Sequence, residues 1–317
     1  MEEKIVEQRK VVIDCDPGID DTLALIYALK NPKLKVVGIT IVAGNVPVSK
    51  GLKNAQFILN MLNMHVPIYI GDTSNTYISA EDTHGYNGMG NYDYGNVSLV
   101  DVQEESATSY LAHCLTDEDQ VTLIALGPLT NVWGAYRKNP MLFHNMLRTY
   151  IMGGAYRTYG NCTPVSEYNF WCDPESAKNV FEVMDKTVIV PLDVTRKIVL
   201  SGRELALIKG TNPNMGDFVE KITAYYMDFH WKQEGICGCV INDPLAVWAA
   251  SAWVDSVNLS LKTAYAVVCD NSGITRGQMI VDEANMYRKL PNCGILDKLS
   301  DENIYYFWKE FIEIICK

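Results

Sequence analysis

Residues 10–29 constrain this chain more than any other stretch, because they read as strand, turn and helix with an acidic hinge between. Val11-Val12-Ile13 is a β-branched run, Pro17-Gly18 supplies a sharp turn, and Ile19 to Leu29 carries apolar residues at helical spacing. Lys35 to Ala43 reads as a second buried strand that ends at Gly44-Asn45. Strand, helix and strand in about thirty residues predict a right-handed βαβ unit and a parallel sheet. At the C-terminal end of the first strand stand four carboxylates, Asp14, Asp16, Asp20 and Asp21. Open α/β sheets bind ligands at that edge, and like charges so close repel unless a cation or raised pKa values relieve them. An all-oxygen donor set suits calcium or magnesium, whereas no nearby His or Cys cluster points to zinc. The plainer alternative is that Asp20 and Asp21 face the positive end of the helix while Asp14 and Asp16 are solvated.

Composition narrows the class. A chain of 317 residues, 48% hydrophobic and 21% charged, is long enough for one large α/β domain, and a single domain over residues 1–317 is the expectation. The net charge of −11, with no basic run, argues against a nucleic-acid or anionic-membrane binder and favours a small-molecule ligand. Nine scattered cysteines, an odd number, suggest reduced thiols and a cytoplasmic protein; Cys237-x-Cys239 has no second pair nearby for a zinc site. The first ten residues hold no apolar leader segment, and no run of about 18 apolar residues occurs, so neither export nor a membrane span is expected.

Further along, helices are predicted over about 49–63, 106–116, 130–137 and 215–233, and strands over 66–71, 121–126, 149–154 and 187–192. The polar segment 72–97 is long for a loop, which marks it as functional or mobile. After the strand at 121–126, Thr130 or Asn131 reads as a helix cap, and Asp173-Pro174 as an N-cap and first turn. The loop before it offers Asn161, Glu167 and Asn169, a set suited to a sugar because each hydroxyl both donates and accepts. Tyr226, His230 and Glu234 fall one turn apart on a single helix face. Beyond Ser251, residues 263–269 and 278–281 alternate like a β-ribbon, and an aromatic-rich helix over 303–316 closes the chain.

Asp14-Cys-Asp16-Pro-Gly-Ile-Asp20-Asp21 resembles the N-terminal signature of the inosine-uridine nucleoside hydrolases. Four further stretches, around His84-Gly, Gly127-Pro-Leu-Thr-Asn131, Asn161-x5-Glu167-x-Asn169 and Asp243-Pro-Leu-Ala246, follow in that family's order over residues 10–250. The resemblance implies a single open, mostly parallel sheet flanked by helices, with a small C-terminal β-ribbon and helical extension. It implies a calcium-dependent enzyme that cleaves ribonucleosides to ribose and free base. Asp16, Asp21 and Asp243 would bind the metal by side chain and Leu126 by its carbonyl, with Asp16 also the general base. Asp20, Asn45, Asn161, Glu167 and Asn169 would hold the ribose, while His84, Met152, Tyr226 and Asn242 complete the substrate pocket. Family members commonly form dimers or tetramers.

Two departures stand out: Asn87 replaces a usual Asp, and Asn242 a frequent His. Asparagine cannot protonate a leaving base, so His230, or else Glu234, becomes the candidate acid. The same departures motivate an alternative, a nucleoside-binding protein that has lost catalysis. A second alternative treats Asp14 as the nucleophile of a magnesium-dependent, haloacid-dehalogenase-like phosphohydrolase, although Pro17-Gly18 and Asp20-Asp21 fit that pattern badly. Base preference, purine or pyrimidine, is not readable from these residues.

Overall fold

A computed structural model describes residues 8–71, 79–114, 120–140, 147–183, 186–252 and 259–317. In chain order the strands are β1 (Arg9–Cys15), β2 (Leu34–Ile41), β3 (Ile68–Ile70), β4 (Val102–Ser106), β5 (Thr122–Ala125), β6 (Arg148–Met152) and β7 (Thr187–Val190). They continue with β8 (Val199–Leu200), β9 (Cys239–Val240), β10 (Ser260–Val268), β11 (Met279–Asp282) and β12 (Cys293–Lys298). Ten of them form one sheet in the order β11-β10-β12-β7-β6-β5-β1-β2-β3-β4, and β8 and β9 pair separately. Every pairing from β12 across to β4 is parallel; β10 alone runs against the sheet, pairing antiparallel with β12 on one side and with β11 on the other.

β1 lies at the centre because its apolar residues serve both faces. Val11, Ile13 and Cys15 enter the core that holds Leu23, Ile26 and Trp248, while Val12 enters the opposite core with Leu123, Val132 and Phe181. A strand covered on both sides reads as an unbroken apolar run, as Val11 to Ile13 does. From β1 the chain builds outward through β2, β3 and β4 and then returns to lay β5 on the other flank. The boundary between β1 and β5 is therefore a topological switch point, where the connections leave in opposite directions and open a crevice. Asp16, Asn45 and Leu126 follow the C-terminal ends of β1, β2 and β5 at that crevice, and Met152 ends β6 beside them.

The C-terminal ribbon expected from alternation forms as β10 and β11, and β12 joins it to β7, so the ribbon extends the main sheet. The helix Asp301–Ile315 seats Phe311 against Tyr27 (ring centroids 5.6 Å apart) and Phe307 against Trp248 (5.9 Å). Several elements had no counterpart in the sequence reading, among them β4, β12, the helix Asn242–Ala252 and the helix Gly202–Thr211. That helix buries only Leu205 and Ile208, too few for a periodic signal, although Ser201-x-x-Glu204 forms the capping box that announces it. Among the described residues no helix is long and apolar enough to cross a membrane, and no disulfide joins any of the nine cysteines.

Candidate active site

The acidic hinge becomes the floor of the crevice. Asp14, Asp16 and Asp21 are fully buried, and Asp20 and Asp243 nearly so, which overturns the reading of Asp14 and Asp16 as solvated. Carboxylate atoms of Asp20, Asp21 and Asp243 lie within 4.8 Å of one another. Asp21 sits in the first turn of the helix Ile19–Lys30 and accepts from the backbone N–H groups of Gly18 (3.0 Å) and Asp16 (3.3 Å). The Asn45 side-chain amide donates to Asp21 (2.8 Å), and the Asn45 backbone N–H donates to Asp16 Oδ2 (2.6 Å). Burial, reinforced by the neighbouring carboxylates, pushes Asp16, Asp21 and Asp243 above the ordinary aspartate range.

Asp16 Oδ1 is buried with no hydrogen-bond partner. A Cβ on Gly44 or on Gly127 would collide with this carboxylate, so the two glycines form a cradle around it. An orphaned carboxylate oxygen, a cradle that leaves it room, and an all-oxygen donor set fit a hard divalent cation. The Leu126 carbonyl already accepts from Asn169 Nδ2 (2.7 Å), which leaves one of its two lone pairs free.

Beneath the floor, Asp14 Oδ1 accepts from Thr40 Oγ1 (2.6 Å) and Asn131 Nδ2 (2.8 Å), and burial raises the Asp14 pKa to about 7. Asn131 is therefore no helix cap. Thr130 is none either: its hydroxyl donates to Asp173 (2.6 Å), which does cap the helix Pro174–Val183 by accepting from the Ser176 N–H (3.0 Å). Thr40 and Asn131 were missed as supports of the site. Thr40 lies opposite Asp14 in the β1–β2 register, so the pairing was the signal that could have found it.

Above the floor opens a cavity whose total void, counting the space open to solvent at its mouth, is about 680 Å³. Its wall includes Asp20, Leu126 and Asp243 together with every residue expected to hold substrate, and Asp16 and Asp21 sit below it. One side comes from the loop after β6. Glu167 caps the short helix Tyr168–Cys172, accepting from the N–H groups of Asn169 (2.8 Å), Phe170 (3.2 Å) and Gly154 (3.1 Å). Burial lifts its pKa to about 7 against those three donors. Asn161 Oδ1 accepts from the Tyr168 N–H (2.9 Å), which turns its amide donors loose, and Asn169 Nδ2 also reaches the Met152 carbonyl (3.2 Å).

The opposite wall is helical. His84 ends the short helix Glu81–His84, and its Nδ1 accepts from the Ile19 N–H (3.2 Å); burial lowers its pKa to about 4, so the ring is neutral. Asn87 serves its own loop, accepting from the Met89 (3.0 Å) and Asn91 (3.1 Å) N–H groups and donating to the Tyr92 carbonyl (2.8 Å). Its replacement of the usual Asp is thus a matter of loop architecture. On the helix Pro213–Glu234, Tyr226 directs its hydroxyl at Asp20 (3.5 Å), and His230 Nδ1 donates to the Tyr226 carbonyl (2.9 Å). Asn242 Nδ2 donates to the same Asp20 oxygen (3.1 Å). Glu234 is ion-paired with Arg196, a partner that engages it away from the acid role that sequence alone allowed.

Residues 11–306 match the family model described as inosine-uridine preferring nucleoside hydrolase. The chain belongs to that family. It is 30% identical over 294 residues to a pyrimidine-specific ribonucleoside hydrolase, RihB, of Escherichia coli, covering 92% of each chain. Among solved structures it is similar to a purine-preferring ribonucleoside hydrolase from Gardnerella vaginalis (27% identity, TM-score 0.88, 98% and 99% of the two chains). It is also similar to an inosine-guanosine nucleoside hydrolase (27% identity, TM-score 0.84, 97% and 99%). As a nucleoside hydrolase the protein is an enzyme that acts on the N-glycosyl bonds of ribonucleosides, which sets aside the phosphohydrolase alternative. The relatives' names disagree on the base, so they carry no base preference over to this chain.

Proposed function

We propose that this cavity hydrolyses ribonucleosides to ribose and free base with calcium at the aspartate floor and Asp16 as general base. The observation that carries the reading is the orphaned, glycine-cradled Asp16 Oδ1 beside Asp21 and within the field of Asp20 and Asp243. Calcium, held by Asp16, Asp21, Asp243 and the Leu126 carbonyl, would supply Lewis-acid activation of a water. Asp16 takes the proton of the attacking water. Asp20, Asn45, Asn161, Glu167 and Asn169 orient the ribose hydroxyls, and the negative wall favours the cationic ribosyl transition state.

Leaving-group help falls to the helical wall, since Asn242 has no proton to give. His230 Nδ1–H is fixed on the Tyr226 carbonyl, so Nε2 is the nitrogen that can serve a departing base. Burial lowers the His230 pKa, and the protonated fraction able to act as acid therefore shrinks as pH rises. His84 and Met152 shape the pocket on either side. Nine cysteines without a disulfide accord with a cytoplasmic protein, and a homodimer or homotetramer, to be checked by light scattering, accords with the resemblance.

The test is ribose release from inosine, adenosine, guanosine, uridine and cytidine, with and without a calcium chelator, for the wild type and Asp16→Ala. Release that needs both the ion and Asp16 supports the reading. A folded, calcium-loaded protein that binds nucleosides without releasing ribose would be the catalytically impaired binder instead.

A further inference from the structure

The far end of the cavity holds a charged pair that the proposed chemistry leaves unused. Glu234 lies two helical turns beyond Tyr226, about 12 Å along the axis, so it stands well away from the aspartate floor that Tyr226 touches. Arg196, just past the short helix Leu192–Thr195, meets it there, and both line the cavity wall. Their side chains are only 14% and 15% exposed. The guanidinium is clamped: one terminal nitrogen donates to Glu234 Oε2, the other to the Gly160 carbonyl (3.2 Å), and its plane rests on the Tyr159 ring (3.9 Å to the centroid). Nε is buried without a partner. Arg196 engages one oxygen of Glu234 and leaves Oε1 as an acceptor.

We propose that Arg196 and Glu234 read the base, selecting nucleosides whose base carries a ring N–H beside a carbonyl oxygen, as in inosine, guanosine and uridine. This rests on the hydrolase reading above. A carboxylate beside a guanidinium presents an acceptor next to donors, the complement of an –NH–C(=O)– edge. Adenine and cytosine turn a ring lone pair toward the carboxylate and an amine toward the guanidinium. Departure chemistry favours the same class. When the bond from C1′ to the base nitrogen breaks, its electron pair passes into the ring and is shared by the carbonyl oxygen, where Arg196 neutralises it. The water oxygen bonds to C1′, its proton passes to Asp16, and the departed base takes a proton from solvent. An enzyme with Asn242 and a His230 held toward its neutral form gains most from bases that leave as such anions.

The experiment measures kcat/KM for five nucleosides and for 4-nitrophenyl riboside, whose phenolate leaves without any base contact, in the wild type, R196M, R196K and E234Q. The wild type is expected to favour inosine, guanosine and uridine over adenosine and cytidine. R196M should lower the first three about 30-fold, as the loss of a charge-assisted contact implies, and adenosine, cytidine and the nitrophenyl riboside less than about threefold. R196K should recover part of the loss, and E234Q should shrink the preference less than R196M does. Equal losses on all six substrates would make Arg196 a brace between helix and Gly160 loop and overturn the inference, as would a wild type that prefers adenosine or cytidine. A wild type inert toward the nitrophenyl riboside and every nucleoside would remove the hydrolase reading, and this inference with it.

Discussion

The two ends of the cavity are built by different means. The floor takes its carboxylates from a strand end and the first turn of a helix, and backbone N–H groups of Asp16, Gly18 and Asn45 lock them in place. The far wall hangs side chains from one long helix and a loop, where Tyr226 and Glu234 answer to partners on other elements and His230 to the Tyr226 carbonyl one turn back. Backbone-locked groups hold geometry that chemistry demands of every substrate, whereas side chains on a helix face can be exchanged singly to suit one base or another. That relatives named for pyrimidine, purine and inosine-guanosine substrates share one fold accords with this division.

The sharpest way to break the comparison is at the floor. Asp16→Asn keeps the size and the Asn45 contact but removes the proposed base, and kcat should fall about 10³- to 10⁴-fold on every nucleoside alike. A loss that differed widely between nucleosides would mean that the floor, too, discriminates bases. Gly44→Ala comes next. Its Cβ meets the Asp16 carboxylate, so activity should fall about 100-fold or more although no chemical group is lost, and calcium affinity measured by titration calorimetry should weaken with it.

Smaller in effect is the coupling of metal, protons and stability. Asp14 and Glu167 are held near pH 7, against ordinary values of 3.8 and 4.5, chiefly by burial. Their folded pKa values are raised, so in the metal-free protein this contribution to stability is whole below about pH 4 and is lost as pH rises through about 7. Metal-free Tm should therefore decline between pH 5 and 8 in scanning calorimetry. On the reading proposed above, calcium would compete with protons at the neighbouring floor, and its stabilisation should grow over the same window to about 2.7 kcal/mol at a hundredfold excess over Kd. A calcium shift independent of pH would detach the ion from these carboxylates.

The floor was legible in the sequence because one short run carries most of it, and a strand, a Pro-Gly turn and a helix start fix where four Asp residues go. The support beneath it was not. Thr40 reaches Asp14 from β2 through the parallel register, and Asn131 reaches it from the helix Thr130–Lys138 that follows β5, so only the assembled fold brings the two together. The far wall was half legible: helical spacing put Tyr226, His230 and Glu234 on one face, but the spacing says nothing of Arg196, which arrives from a turn 38 residues away in sequence. That partner turns Glu234 from a candidate acid into one half of a fixed ion pair. Long-range pairing of a side chain with a helix leaves no periodic trace, and this is why the base end resisted a reading that the metal end allowed.

His230 offers the last and smallest test. Its Nδ1–H bond to Tyr226 is local to the helix, so His230→Gln preserves the packing of the wall while removing the titrating nitrogen. Turnover should drop about tenfold for adenosine and cytidine, whose bases need a proton to leave, and less for uridine and inosine. The alkaline limb of the adenosine pH profile, which sets in where the lowered His230 pKa is passed, should disappear in the variant. Equal small losses on all nucleosides with the limb intact would reduce His230 to a wall residue and leave the acid to solvent. The two substrate groups then separate the two ends of the wall: one depends on a proton from His230, the other on the charge of Arg196.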